Sequence, residues 1–291
     1  MTRLLNQLRS KVIVYWSMTK SMQTGLLVVT GLAGYISSRC PIMHIERLLV
    51  VAGSLFLAVS GSTVLNMWYD RDIDAKMKRT CFRALPSGKI SQHEGLILGL
   101  VLSSIGVGWA VWIDPLFGAV VFAGLFFDVI VYTVWLKRRT AWSIVWGGIS
   151  GGMPVLAGRV LGTGRIEWVG VLLMVAVLLW IPSHILTTNM RYFDDYRRVR
   201  IPTFPSVYGI AATHKIIAIS SAGAAISVGI VAVGVGITSG CMYLLAALTG
   251  ALLLMTTTAL LKPSESINFG VFKYASVYML SAMLLLAVGV F

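Results

Sequence analysis

The chain has 291 residues, 57% of them hydrophobic and only 12% charged. A soluble domain carries about 25% charged residues, so composition excludes an ordinary soluble globule and points to an integral membrane protein. The formal net charge of +13 would suggest nucleic acid in a soluble protein. Here the bases lie between apolar runs, so the positive-inside rule accounts for them and no nucleic-acid partner is expected.

Residues 1–20 are basic and partly apolar, without a small-residue cleavage site after a short apolar core. They predict an amphipathic helix on the membrane surface leading into the first span, not a signal peptide. A span needs ~20 apolar residues, with tolerance for shorter ones. Nine runs qualify: 21–37, 47–66, 94–113, 115–135, 142–161, 167–187, 214–237, 241–261 and 271–290. Their seams carry Gly, Pro or charge, as at Asp114-Pro115, Lys137–Arg139, Gly162–Arg165, Ser239-Gly240 and Lys262-Pro263. The third and fourth runs meet at a tight hairpin, as do the seventh and eighth. The expectation is an all-α, polytopic membrane protein with one transmembrane domain over 1–291 and no separate soluble domain.

Loop charge sets the orientation. With the N-terminus in the cytoplasm, twenty Lys and Arg residues fall on the cytoplasmic side and four on the other: Arg39, Arg47, Arg159 and Arg165. That bias predicts a cytoplasmic N-terminus and an external C-terminus. The long loops 67–93 and 188–213 then share the cytoplasmic face. Cys40, Cys81 and Cys241 lack metal-type spacing and read as small apolar side chains.

The first loop opens on NMWYDRDIDAKMKRT, residues 66–80. Asn66, Asp70 and Asp74 recur every fourth residue, so a helix puts them on one face. Oxygen-bearing side chains at the end of a span are costly to place there. Hard cations such as Mg²⁺ take such ligands, usually together with substrate phosphates. Lys76, Lys78, Arg79 and Arg83 follow, so the pattern suggests a metal-bridged diphosphate site at the membrane surface. The bland alternative is a capped helix end with surface salt bridges. Asp72 points away and reads as a solvated partner for Arg71 or Lys76.

The second loop holds Asp194 and Asp195, which diverge by about 100° on a helix, so at most one faces a shared metal. Alone they would be an ordinary charged loop; beside the first cluster they are a candidate second metal-holding group. Lys78, Lys137, Arg138, Arg197 and Arg198 are candidates to bind diphosphate oxygens, each also readable as a membrane-surface anchor. Two polar residues lie inside spans. Asp128 needs a partner or a cavity; it reads as a catalytic base, an acceptor contact or a buried structural partner. His184 follows Pro182, which frees backbone groups where a helix lines a cavity. It reads as a structural residue or a substrate contact, ligation of a haem iron included. His44, His93 and His214 show no partner pattern.

NxxxDxxxD at the end of the second run, nine runs and an acidic second loop resemble the UbiA family of intramembrane prenyltransferases. Within it the chain is most similar to the protohaem IX farnesyltransferase subfamily. NMWYDRDIDAKMKRT, ALPSGKIS, YTVWLKRRT, GGISGGMPVLAG, the W-x-P-x-H of Trp180–His184, DDYRR and FKYASVYML carry the resemblance over nearly the whole chain. There are departures. The usual Arg-Pro-Leu-Pro is Arg83-Ala84-Leu85-Pro86, with Phe82 in place of a polar residue. The usual Ala-Gly before Ile/Val-Pro is Val199-Arg200, and Pro-Pro-His is Pro182-Ser183-His184. They bear on the acceptor more than on the reaction class.

The resemblance implies a UbiA-like bundle of nine transmembrane helices. It implies Mg²⁺ held by Asn66, Asp70, Asp74, Asp194 and Asp195, which form the catalytic and metal set. Lys20, Lys78, Arg79, Arg83, Asp128, Lys137, Arg138, His184, Arg197 and Arg198 form the substrate-binding set. It further implies transfer of a farnesyl group from farnesyl diphosphate to a vinyl group of haem B, with water adding to give haem O. The lipid bilayer is the medium, and a downstream haem-modifying enzyme is a conceivable partner. Lack of an Arg/Ser-rich transit segment favours a prokaryotic cytoplasmic membrane. Two alternatives stand beside this: a UbiA enzyme with an aromatic quinone-precursor or ether-lipid acceptor, and a non-enzymatic transporter.

Overall fold

The computed structural model of the protein describes residues 2–38 and 45–291, with side chains described from residue 9 onward. Arg39, Cys40 and His44 lie outside the described residues. All regular elements among the described residues are helical.

Helix α1 (Thr2–Met18) forms where the sequence predicts a helix over residues 1–20. Val12, Ile13 and Trp16 are exposed, while Met18 is buried. Lys11 pairs with Glu94 at 2.9 Å, and Trp16 stacks on Phe56 at 5.8 Å. Lys20 then takes a left-handed turn, φ 45°, into α2 (Ser21–Ile36). The bundle continues with α3 (Ile45–Tyr69), the single turn α4 (Arg71–Asp74), α5 (Gln92–Ile113) and α6 (Pro115–Phe126). A π-helical segment (Phe127–Leu136) extends α6. Then come α7 (Ser143–Thr163), α8 (Trp168–Arg191), the short α9 (Phe193–Arg198) and α10 (Phe204–Tyr208), α11 (Ile210–Val235), α12 (Ser239–Leu261) and α13 (Glu265–Val288).

Eight of the described helices are long and apolar enough to cross a membrane. The remaining run expected from sequence, 21–37, forms α2, a 16-residue apolar helix short of that length.

The ends of the helices follow from local chemistry. Ser91 and Glu94 form a reciprocal capping box at the start of α5. Asp114 caps α6, its carboxylate accepting from Phe117 N at 2.7 Å, and Pro115 occupies the first turn where a missing N–H costs nothing. This is the tight hairpin read from Asp114-Pro115. Gly164 and Gly236 close α7 and α11 in the left-handed region that glycine enters without strain.

Helix α7 is the centre of the bundle. One of its faces packs with α2, α6 and the π segment, and the other with α8. Against α2 the backbones meet: a Cβ at Gly158 would collide with the Gly31 carbonyl oxygen, and one at Gly34 with that of Val155. Lipid does not drive helices together through the hydrophobic effect, so such small-residue contacts supply the packing. Beyond that, α8, α11 and α13 build a second apolar cluster around Leu173, Val228 and Met283. Residues such as Ile97, Trp112 and Leu254 on α5 and α12 face outward, as lipid contacts would.

Candidate active site

The site forms at the end of the bundle that carries both acidic loops. Helix α3 stops at Tyr69, yet the i→i−4 pattern runs through the break: Asp70 N donates to Asn66 O at 3.0 Å and Asp74 N to Asp70 O at 2.8 Å. Asn66, Asp70 and Asp74 therefore keep the common face that their spacing predicts. Asp70 is 2% exposed and Asp74 5%. That burial removes the reading of the trio as a solvated, capped helix end.

Each buried carboxylate has a cation. Lys137, the first residue beyond the π segment, donates to Asp70 Oδ2. Arg138 Nη2 stands 3.6 Å from Asp70 Oδ1, an atom with no hydrogen-bond partner among the described residues. Arg83 donates to Asp74 at 2.8 Å. Asp72 is gripped by both terminal nitrogens of Arg138, at 2.9 and 2.7 Å. This corrects the expected pairing with Arg71 or Lys76; Arg71 instead donates to Trp68 O at 2.7 Å. The Arg138 hydrogen bonds hold the Asp72 carboxyl below its ordinary range.

The second loop joins the first through Arg79. Its backbone N–H donates to Asp195 Oδ2 at 3.2 Å, and its guanidinium lies 5.2 Å over the Tyr192 ring and 3.5 Å from the Tyr196 hydroxyl. Asp195 is buried and Asp194 exposed, as the divergence of adjacent residues on α9 requires. Lys78, Arg197 and Arg198 are exposed, with Arg198 3.9 Å from Asp195. The structure thus gathers Asn66, Asp70, Asp74, Asp195, Arg79, Arg83, Lys137 and Arg138, and leaves Asp194, Lys78 and Arg197 at the rim.

Lys20 reaches the same place from the turn before α2. Burial, together with the positive charges of Arg83 and Lys137, pulls its ammonium down to about 8. Among the described residues it has no ion pair. Burial also opposes the charge on Lys137, but Tyr132 and Asp70 outweigh it and raise that ammonium above its ordinary value. Three cations that gain from an added anion therefore converge where the carboxylates stand.

The π segment explains the reach of Lys137. Nine residues separate it from Asp128, two and a half turns of an α-helix, which would put them on opposite faces. A π turn closes at i+5, so Asp128, Thr133 and Lys137 fall on one face. The Thr133 hydroxyl donates to Asp128 O at 2.7 Å and accepts from Asn66 Nδ2 at 2.8 Å. The Asp128 carboxylate accepts a hydrogen bond from the Ser62 hydroxyl.

Below this polar mouth lies a cavity of about 570 Å³ among α2, α3, α6, the π segment, α7, α8 and α13. Its walls are mostly apolar, with Leu55, Val121, Met153, Val177 and Met279 among them. Asp128 and His184 both line it. The His184 ring lies between Trp180 at 5.9 Å and Phe272 at 5.5 Å, and its nitrogens make no hydrogen bond among the described residues.

The sequence reading missed Ser62, Thr133 and Phe272. Ser62 was within reach, because it stands four residues before Asn66 and extends the same stripe by one turn. Nothing in the composition of 127–136 announces the π register that turns Thr133 inward.

Comparison with known proteins agrees with this architecture. The UbiA prenyltransferase family model matches residues 27–277. A protoheme IX farnesyltransferase of Korarchaeum cryptofilum is 41% identical over 70% of this chain and 69% of its own length. One from Archaeoglobus fulgidus is 45% identical over 66% and 67%. Among solved structures, a digeranylgeranylglyceryl phosphate synthase superposes with a TM-score of 0.79 at 19% identity, covering 97% of this chain and 99% of that one. A UbiA homolog from Archaeoglobus fulgidus bound to GPP and Mg²⁺ gives 0.68 at 13%, covering 94% and 99%. At those identities the structures speak for the fold; the family match and the relatives say more. An all-helical bundle with acidic loops over an apolar chamber, and a family match across most of its length, place the chain in the UbiA prenyltransferase family, as a multi-pass membrane prenyltransferase.

Proposed function

We propose that the protein transfers a farnesyl group from farnesyl diphosphate to a vinyl group of protohaem IX (haem B), releasing diphosphate and forming haem O. The observation that carries the reading is the junction at the base of the polar mouth. There a buried carboxylate face ringed by Lys20, Arg83, Lys137 and Arg138 opens onto an apolar chamber that holds the His184 imidazole, which makes no hydrogen bond among the described residues. The relatives named protoheme IX farnesyltransferase support the choice of substrates.

Mg²⁺ suits the donor set. Asn66, Asp70, Asp74 and Asp195 offer hard oxygens, and Asp70 Oδ1 is buried without a hydrogen-bond partner among the described residues. Among the described residues no three His, Cys, Asp or Glu form a closed cage. That fits a cation whose remaining ligands come from substrate phosphates. Such an ion neutralises charge on the departing diphosphate. Asp194 belongs at the rim of this set, a partner for outer ligands.

The chain's own residues do the rest. Lys20, Arg83 and Lys137 bind diphosphate oxygens, with Arg138 and Arg79 holding the carboxylates in place. The apolar walls take the prenyl chain and exclude water, which keeps an allylic cation from premature capture. His184 faces the acceptor and ligates its iron, fixing the vinyl group near the prenyl C1. No protein nucleophile is needed. The charge bias of the loops supports a cytoplasmic mouth in a prokaryotic cell membrane.

The test is haem binding to purified protein in detergent. Titrated protohaem should give a shifted Soret band in the wild type that His184→Ala loses. If neither protein binds haem while a phenolic or glycerol-phosphate acceptor is prenylated, the acceptor assignment falls and the family reading stands.

A further inference from the structure

We propose that Asp128 is the catalytic base that takes the proton from the water added at the end of this reaction. The inference rests on the substrates proposed above and adds a residue role that they do not supply. Addition of the farnesyl group to a vinyl carbon leaves a cation on the neighbouring carbon. That cation has two exits: water adds, or an adjacent proton leaves and an alkene results. A base placed to activate one water molecule decides between them.

Asp128 has the position for this. Its carboxylate lies in the cavity wall, oriented by the Ser62 hydroxyl. Ser62 is one turn of α3, about 5.4 Å, deeper than Asn66. Asn66 in turn is tied through the Thr133 hydroxyl to the Asp128 backbone carbonyl. The carboxylate therefore stands just inside the mouth, where a prenyl C1 attached to a diphosphate would lie. It is not committed to an ion pair: Asp70 and Asp74 have Lys137 and Arg83, whereas among the described residues Asp128 has no cation within 4 Å. The other titratable side chain in the cavity, His184, lies between aromatic rings with no hydrogen-bond partner to orient it as a base.

The step balances. The C1–O bond of farnesyl diphosphate breaks and its electron pair leaves with the diphosphate. The vinyl π pair forms the new bond to C1. A water lone pair closes on the resulting cation, and the water proton passes to the Asp128 carboxylate and then to solvent. Nothing is oxidised or reduced. The product gains one farnesyl group and one hydroxyl.

Asp128→Asn keeps the shape and an acceptor oxygen for Ser62 but removes the base. With Mg²⁺, farnesyl diphosphate and protohaem, this variant should still release diphosphate and still farnesylate haem. Most of its product should be lighter than wild-type product by one water. Asp128→Glu should restore the hydroxylated product in part. Hydroxylated product from Asp128→Asn in the wild-type proportion overturns the assignment. So does loss of both diphosphate release and carbon–carbon bond formation in that variant, which would place Asp128 in an earlier step. Wild-type protein that farnesylates no haem removes the functional reading and this role with it.

Discussion

At the scale of single residues, burial separates the enclosed carboxylates, those proposed to hold metal, from those on the surface. Asp70 and Asp74 are enclosed and matched by cations, while Asp72 reaches the exposed side and Asp194 the rim. Asp70→Asn preserves volume and removes the charge that a divalent cation requires. It should lower kcat by at least about 100-fold, in the range lost with one preorganised electrostatic group. The variant should still fold in detergent, with a melting temperature lowered because Lys137 loses its buried carboxylate partner; wild-type turnover in it would defeat the metal assignment. Lys20 supplies a pH dependence. Its ordinary pKa of 10.5 falls to about 8 in the fold, so between these values the unfolded chain binds more protons and stability rises with pH. Anion affinity moves the other way, because the bound diphosphate prefers the charged ammonium. Pyrophosphate affinity should fall by up to about tenfold from pH 7 to pH 9 beyond the ligand's own titration, and Lys20→Arg should flatten that excess. An equal slope in both proteins would remove Lys20 from the site. Arg200 shows how a departure from the family pattern reads in three dimensions. It holds φ 56°, a region that favours glycine, at the position where the family resemblance implies Gly. Arg200→Gly should add about 0.5–1 kcal/mol of stability, the strain relief of about 1–2 kcal/mol offset partly by unfolded-chain entropy. A lower melting temperature would show that the Arg200 side chain contributes more than its backbone costs.

At the scale of elements, the helices were the legible part and the register was not. Apolar runs, the Asp114-Pro115 hairpin and the four-residue spacing of Asn66, Asp70 and Asp74 all depend on neighbours in sequence. Their boundaries in the fold differ by a few residues from those read off the chain. The π segment is different. An α and a π reading of 127–136 have the same apolar composition, and only packing against α3 and α7 selects between them. The Arg79 clasp was invisible for a related reason, since 116 residues separate it from Asp195. Asp72 pairs with neither Arg71 nor Lys76 because its partner, Arg138, arrives from the turn after the π segment, 66 residues away in sequence. Thr133 tests the importance of the π register. It is fully buried and links Asn66 to the Asp128 carbonyl. Thr133→Val keeps the volume and leaves two polar groups unmatched, which should cost about 1–3 kcal/mol. Thr133→Ser should keep both bonds and cost less. Equal thermal stability of Thr133→Val and the wild type would contradict the role given to this hydrogen-bond chain.

At the scale of the whole molecule, the fold solves one problem. In the proposed reaction it would bring a strongly anionic leaving group and a greasy chain to a single point without exposing the apolar chamber to water. Close α2–α7 packing fixes the chamber wall, α8 and α13 carry its aromatic residues, and the two loops close the polar end. The composition of the chain reveals the membrane class, and the spacing of Asn66, Asp70 and Asp74 reveals the carboxylate face buried at one end of the bundle. The place of His184 in the cavity wall was not legible, because a lone histidine among apolar residues has no spacing pattern of its own. The most direct measurement joins both ends. Purified protein in detergent is incubated with Mg²⁺, farnesyl diphosphate and protohaem, and the extracted haem is analysed by mass spectrometry. The account predicts a Mg²⁺-dependent species heavier than protohaem by one farnesyl group plus one hydroxyl group. Unmodified haem from protein that consumes the diphosphate with a phenolic or lipid acceptor would contradict it.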